Sequence, residues 1–285
     1  MKRAIFLLAA SFFGQGVMLP TAGSAQEELP VYLQDRGTGV PSSMFGTYIR
    51  RGELLVYPFY EYYHDNDMEY EPAEFGYGLA QEFRGRYRAH EGLLFFGLGI
   101  TDRLALEVEA AVIDARLTRS AADTSAMPDE LHESGLGDVE SQLRWRWSRE
   151  TERRPEFFSF FETVFPLRKD RVLIGTQDWE FKLGAGVIKG FGWGTLTLRT
   201  AMAYDGAERK MEFGEYALEY LKRVSRLLRV VLLVEGEEDE VELIADTQWH
   251  ISPRVFVRLN AGIGLTSKAT DIAPEVGVMF SFPVF

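Results

Sequence analysis

The 285-residue sequence predicts an all-β protein: one antiparallel, up-and-down sheet of about twelve strands. Three features predict it. Apolar and polar residues alternate with a period of two along most of the chain. The connections between the alternating stretches are by turns short and long. Beyond the first 25 residues, no segment approaches the ~18 consecutive apolar residues that a membrane-spanning helix needs.

The chain opens MKRAIFLLAASFFGQGVMLPTAGSAQEE. Lys2 and Arg3 form a basic start, residues 4–19 an apolar stretch, and Gly23, Ser24 and Ala25 a small-residue cleavage site. That is the pattern of a secretory signal peptide over 1–25, cut before Gln26. Residues 26–51 carry Pro30, Gly37, Gly39, Pro41 and Gly46 with little alternation and read as an irregular lead-in. The sheet is expected over 52–285. The chain has no Cys, so an exported protein of this length must be stable without disulfides. Without Lys2 and Arg3 it holds 29 basic and 43 acidic residues, a net charge of −14, which disfavours a nucleic-acid partner.

The strands follow in order. Residues 53–63 and 93–100 alternate, the second within GLLFFGLGIT (92–101), the longest uncharged run with strand-like flanks. In 103–113, Glu107 and Glu109 share one face. In GDVESQLRWRW (137–147), Asp138, Glu140, Arg144 and Arg146 oppose Val139, Leu143, Trp145 and Trp147. Residues 157–165 alternate, and in 177–189 Glu180 and Lys182 share a face. Arg199 marks the polar face of 194–204. The segment 215–236, EYALEYLKRVSRLLRVVLLVEG, is rich in helix formers. Period two fits it as well, with Glu215 and Glu219 opposite Tyr216, Leu218 and Tyr220, a turn near Ser225, and Arg229 opposite Leu228, Val230 and Leu232. Two strands, 213–223 and 227–235, are therefore expected. Glu242 and Asp246 define the polar face of 241–250, and Arg254 and Arg258 that of 254–263. Val276, Val278, Phe280 and Phe282 line one face of the closing strand, 274–285.

Short connections fall at 101–103, 148–156, 191–194, 224–226 and 252–254. Most of the others, at 64–81, 118–135, 168–176, 205–212, 236–239 and 265–273, are longer and more polar. Short turns on one side, long loops on the other and an even strand number are the signature of a bacterial outer-membrane barrel. Such a sheet crosses hydrocarbon only by closing on itself, with apolar residues toward lipid and the charged set inward. Trp145, Trp147, Trp249, Tyr216 and Tyr220 then suit interfacial girdles. The lead-in would lie on the periplasmic side, where it could fold back to plug the lumen.

The stretches GLGITDRLALEVEA (97–110), GLGDVESQLRWRW (135–147), FPLRKDRVLIGTQDWEFKLGAGVIKGFG (165–192) and APEVGVMFSF (273–282) resemble the outer-membrane, transporter-like barrels named for the MetA pathway of phenol degradation. The resemblance implies a pore or transporter for small, often hydrophobic molecules, and brings no site motif with it. Expected partners are outer-membrane lipid and lipopolysaccharide, the barrel-assembly machinery that reads a closing aromatic strand, and an unidentified small solute.

The charged inward set is the candidate functional surface, able to zip across strands and leave a hydrated path. His64, His90, His132 and His250 share no metal-ligand spacing, so neither metal nor cofactor is expected. HDNDMEYE (64–71) and EGEEDEVE (235–242) read as solvated acidic loop tips. HESG (132–135) reads as loop, although His132 and Ser134 have the two-residue spacing of some outer-membrane lipid hydrolases. Passage of a small molecule through a charged lumen, with no chemical step, is the leading expectation. A structural or surface-binding barrel comes second, and a lipid hydrolase a distant third.

Overall fold

The computed structural model describes residues 29–207, 209–237 and 240–285; the expected leader, 1–25, lies outside the described residues. Twelve antiparallel strands close into one barrel. They are β3 (Glu53–Tyr70), β4 (Phe83–Gly99), β5 (Leu104–Thr118), β6 (Glu130–Ser148), β7 (Glu156–Phe165), β8 (Glu180–Phe191), β9 (Gly194–Asp205), β10 (Lys210–Arg223), β11 (Leu228–Glu237), β12 (Glu240–Ser252), β13 (Val255–Gly264) and β14 (Ile272–Pro283). Two short strands precede them, β1 (Val40–Pro41) and β2 (Tyr48–Ile49), paired as a small hairpin. The last barrel strand pairs with the first, Phe282 opposite Leu54 and Phe280 opposite Val56. Among the described residues no helix is long and apolar enough to cross a membrane.

Residues 215–236 form two strands despite their helix-forming composition. The Ser225 Oγ accepts hydrogen bonds from the Leu227 and Leu228 N–H groups at 3.2 and 3.1 Å, fixing the tight turn between β10 and β11. Leu232 then sits opposite both Tyr220 and Ala245. Pairing on both edges outweighs intrinsic helix preference, which amounts to at most about 0.7 kcal/mol per ordinary residue.

The expected strand limits need correction at the long-loop end. β3 continues to Tyr70, β4 begins at Phe83, and β6 begins at Glu130. HDNDMEYE is therefore mostly strand rather than loop tip, and HESG lies within β6. The physical reason is that the period-two signal reports burial contrast between two faces. Above the hydrocarbon both faces of a strand tolerate polar residues, so the pattern fades while the hydrogen-bond ladder continues. A transmembrane β-strand needs only about 9–11 residues, so β3–β6 rise beyond the span while β7, β11 and β13, at 10 residues each, only match it.

The outer surface carries the apolar set. Leu183 is 64% exposed, and Leu198, Leu218, Leu232, Leu259 and Val276 are exposed with it. Aromatic rings border this band at both ends. Trp147, Trp193 and Trp249 stand exposed near the short turns, while Trp179 stacks on Phe181 near the long loops at 6.2 Å between ring centroids. The expected girdle residue Tyr220 is half-buried under Trp193, 5.9 Å between centroids.

Placing a cation in this band should cost stability without breaking the lumen. Leu232→Arg is expected to destabilise the folded barrel by about 2–4 kcal/mol in urea titrations from bilayer vesicles. Wild-type behaviour in that titration would show that Leu232 does not face hydrocarbon.

Candidate functional site

Residues 29–51 run into the barrel from its short-turn end. A 3₁₀ turn, Val31–Leu33, packs beside β8. Asp35 then holds the end of β10, accepting from the Arg223 N–H at 3.0 Å and pairing with Lys222 at 3.2 Å. Arg36 is buried between Glu150 and Glu156, at 3.1 and 2.9 Å, with its guanidinium 4.9 Å from the centre of the Tyr48 ring. Val40 and Ile49, both fully buried, pack with Leu55, Tyr57, Phe95 and Met279 of the wall.

The β1–β2 hairpin puts its tip deepest. The Ser43 N–H donates to Glu107 at 3.0 Å, and the Gly46 N–H donates to Glu219 at 3.1 Å. Gly46 has φ +57°, and a Cβ there would run into the Leu221 side chain, so glycine is required on both counts. The Phe45 carbonyl accepts from the Gln248 amide at 2.8 Å, and the Arg258 guanidinium lies 4.3 Å from the centre of the Phe45 ring. The hairpin is thus docked on β5, β10, β12 and β13 by charge-assisted hydrogen bonds and ring contacts.

Around the tip, charged side chains form three groups. Arg258, with no exposed surface, pairs with Asp246 at 3.3 Å and Glu275 at 3.8 Å. Tyr57 hydrogen-bonds to Glu275. Arg199 binds Glu215 and, at 2.8 Å, Glu235, while Lys182 reaches Glu237 at 3.3 Å. Arg144 pairs with Glu107 at 3.5 Å and lies 5.0 Å from the centre of the Phe160 ring.

Other members of the expected inward set have different surroundings. Arg146 donates to the Gly39 carbonyl and sits 3.6 Å from Glu156, so it ties the lead-in to the wall. Asp138 clamps the loop between β7 and β8, accepting from the Leu167 N–H at 2.7 Å and the Thr176 hydroxyl at 2.9 Å. Glu180 is half-buried at the long-loop end of β8, paired in register with Asp205. Glu140 and Glu242 line a cavity on the long-loop side of the hairpin tip. Arg229 and Arg254 line a second cavity at the short-turn mouth.

These two cavities differ in charge. The first, about 340 Å³, is floored by Ser43, Met44 and Phe45 of the hairpin tip. Glu61, Glu107, Glu109, Glu140, Glu162, Glu235, Glu242 and Glu275 line it, and its described lining holds no Lys or Arg. The second, about 370 Å³, is lined by Arg36, Arg50, Arg223, Arg226, Arg229 and Arg254, with Glu53 as its acidic member. The hairpin separates an acidic chamber from a basic vestibule.

Sequence reasoning missed Glu61, Glu162, Glu275, Glu150, Glu156 and Arg36. Parity alone could have added Glu61 and Glu275, which lie on the inward side of recognised strands. Glu150 and Arg36 lie outside any alternating stretch and carried no such signal. Asp65, Asp67 and Asp271 bring carboxylate oxygens within 4.8 Å of one another at the long-loop rim. Those oxygens already accept from neighbours: Asp271 from the Asn66 amide at 2.7 Å, Asp65 from the Asp67 N–H at 2.9 Å. His132 and Ser134 lie on the outer face of β6, where His132 Nε2 is 3.0 Å from Asp114. No hydrogen bond joins Ser134 Oγ to His132 among the described residues.

No protein-family model and no curated protein sequence matches the chain. The fold does match solved structures. The COG4313 outer membrane channel from Pseudomonas putida F1 aligns over 85% of this chain and 100% of its own, with a TM-score of 0.60 and 17% identity. The translocator domain of the autotransporter NalP from Neisseria meningitidis aligns over 88% of this chain and 91% of its own, with a TM-score of 0.52 and 11% identity. At these identities the likeness is one of fold. The chain is an outer-membrane-type β-barrel.

Arg258 sits at the centre of the densest charge group, so its removal should be felt throughout the barrel. Arg258→Leu leaves Asp246 and Glu275 buried without their cation and is expected to cost about 3–5 kcal/mol. A lowered temperature for the heat-induced gel-mobility shift is the check. An unchanged transition would mean that the group is solvated rather than zipped.

Proposed function

We propose that the protein is an outer-membrane channel for small molecules, with its long loops at the cell surface and its short turns toward the periplasm. The observation that carries this reading is the acidic chamber, about 340 Å³ and ringed by eight glutamates, enclosed by a wall whose outer face is apolar. A concavity of one charge sign between low-dielectric walls concentrates counter-ions and raises their rate of entry. The chamber volume falls near the lower end of the ~300–1,000 Å³ usual for small-ligand sites. The solute class is therefore a small cation, or a small molecule with a cationic group, rather than an anion or a polymer.

The hairpin of residues 40–49 is the gate in this reading. It stands between chamber and vestibule, held by hydrogen bonds at its tip and by apolar packing of Val40 and Ile49 at its base. The resemblance to barrels named for phenol degradation supports the channel class and implies a small, often hydrophobic solute. The amphipathic chamber, with Phe45, Phe59, Tyr63 and Phe95 beside its carboxylates, would accept a ring bearing a cationic substituent.

The second reading is a surface-binding barrel that passes nothing, and the docked hairpin favours it. Planar-bilayer recording separates the two. Wild-type protein in a KCl gradient is expected to show small conductance with a reversal potential favouring potassium over chloride. Removal of residues 26–45 is expected to raise conductance several-fold while keeping cation preference. Silence of both proteins, each shown folded by heat-modifiable mobility, would establish the surface-binding reading instead.

A further inference from the structure

The outer wall carries a basic row that the channel reading leaves unused. Strand register places His64 of β3 directly opposite Arg88 of β4, Arg88 opposite Arg116 of β5, and Arg116 opposite His132 of β6. All four project outward. Their sequence neighbours Ala89, Ala115 and Leu117 are buried inside the barrel, while Arg88 and His132 are exposed and Arg116 keeps 54% of its side chain exposed. Like charges directly across a sheet repel, so Arg88 facing Arg116 is costly unless something anionic lies over the pair.

The protein supplies that anion only in part: Asp114 pairs with His132 at 3.0 Å. The Arg88 side chain has no ion pair or hydrogen bond among the described residues, nor does that of Arg86, the next outward residue of β4. Arg116 meets Asp114 and Glu130 only at 3.8 Å each. Arg84, two outward positions above Arg88, shows the contrast: it binds Asp67 at 3.1 Å and Glu69 at 2.7 Å. Neutralisation is thus complete higher on the wall and incomplete at the row itself.

Height decides what could meet it. Below the row, register aligns Tyr62, His90, Asp114 and Ser134. Below that come Tyr60, Gly92, Val112 and, across the bulge in β6, Leu136. Tyr60, Val112 and Leu136 are exposed, and the Tyr60 hydroxyl lies 2.7 Å from His90 Nδ1, as suits an interfacial ring with a wet end. Two outward steps separate Val112 from Arg116, roughly 13 Å along a strand and about 10 Å along the membrane normal after tilt. That is headgroup height. The row crosses four strands, roughly 14 Å, wide enough for more than one phosphate.

We propose that the face formed by His64, Arg88, Arg116 and His132 binds the phosphate groups of lipopolysaccharide in the outer leaflet, the two guanidinium groups as the anchors. The proposal rests on the orientation given above, with the long loops at the cell surface. Guanidinium is the suited group because its planar donor fork matches phosphate oxygens. This differs from binding through acidic loops and bridging cations, since Asp67 and Glu69 are already engaged by Arg84, and Glu69 also by Lys268.

The test uses the full-length barrel in nanodiscs, with bis-phosphorylated lipopolysaccharide as the probe and native mass spectrometry as the readout. Arg88→Gln combined with Arg116→Gln is expected to weaken retention about tenfold or more, because each lost guanidinium–phosphate contact is a charge-assisted one. The double Lys variant should restore part of it. Enzymatically dephosphorylated lipid should bind the wild type as weakly as it binds the Gln variant. Equal retention by wild type and the Gln variant would overturn the proposal, as would indifference to dephosphorylation. Equal binding of phosphatidylglycerol would also overturn it, by making the face a general anionic-lipid surface. Conductance of the Gln variant is expected to stay at the wild-type level, so failure here is distinguishable from failure of the channel reading.

Discussion

Everything in this barrel depends on the ladder between β14 and β3. Without that last pairing, Leu54 to Glu61 and Glu275 to Phe282 would present unpaired N–H and C=O groups to hydrocarbon. Each such group costs several kcal/mol in a medium with nothing to bond to. Closure removes the edge, and it also creates an interior that twelve strands leave too wide for wall side chains alone to fill. The lead-in hairpin, the ion-pair groups and the two cavities are the protein's answer to that interior.

Filling the lumen with charge carries its own requirement. Buried ions are tolerated only where geometry supplies partners, and a pair with one member lost is worse than no pair. The partners here come from different parts of the chain. Arg36 of the lead-in meets Glu150 and Glu156 from the β6–β7 connection and the start of β7, and Glu219 of β10 caps the N–H of Gly46. Such contacts define one docking position for the hairpin, because a shift of one residue would strand several charges together. Beside them Val40 and Ile49 pack on apolar wall residues, so the seat is part polar and part apolar. A hairpin held this way is specific in position.

The sort of charge along the axis has a consequence for function. Acidic groups gather between the hairpin tip and the long loops, and basic groups at the short-turn mouth. In the proposed channel a cation would be drawn into the chamber and would meet a repulsive field beyond the hairpin. The outer wall has a third electrostatic environment, the basic row above the aromatic border, on the face away from the lumen. One strand serves all of these, because alternate residues face opposite media: Glu107 looks into the chamber while Asp114 and Arg116 look out.

Much of this was legible in the residues. Period two in GDVESQLRWRW, the short turns around Ser225 and Pro253, and the inward parity of Glu219, Asp246 and Arg258 follow from local rules that hold wherever one strand face meets hydrocarbon. Where both faces meet water the rule loses its contrast, and the upper parts of β3, β4 and β6 went unread for that reason. The sequence by itself determined that the chain is a closed sheet with charge inside and aromatic borders. Only the tertiary structure decided which charges meet, that Asp138 clamps a loop while Glu61 and Glu275 line the chamber, and that His64, Arg88, Arg116 and His132 stand in one row. Those outcomes depend on register and on contacts between residues far apart in the chain, and periodicity within a single strand carries no information about its neighbour's offset.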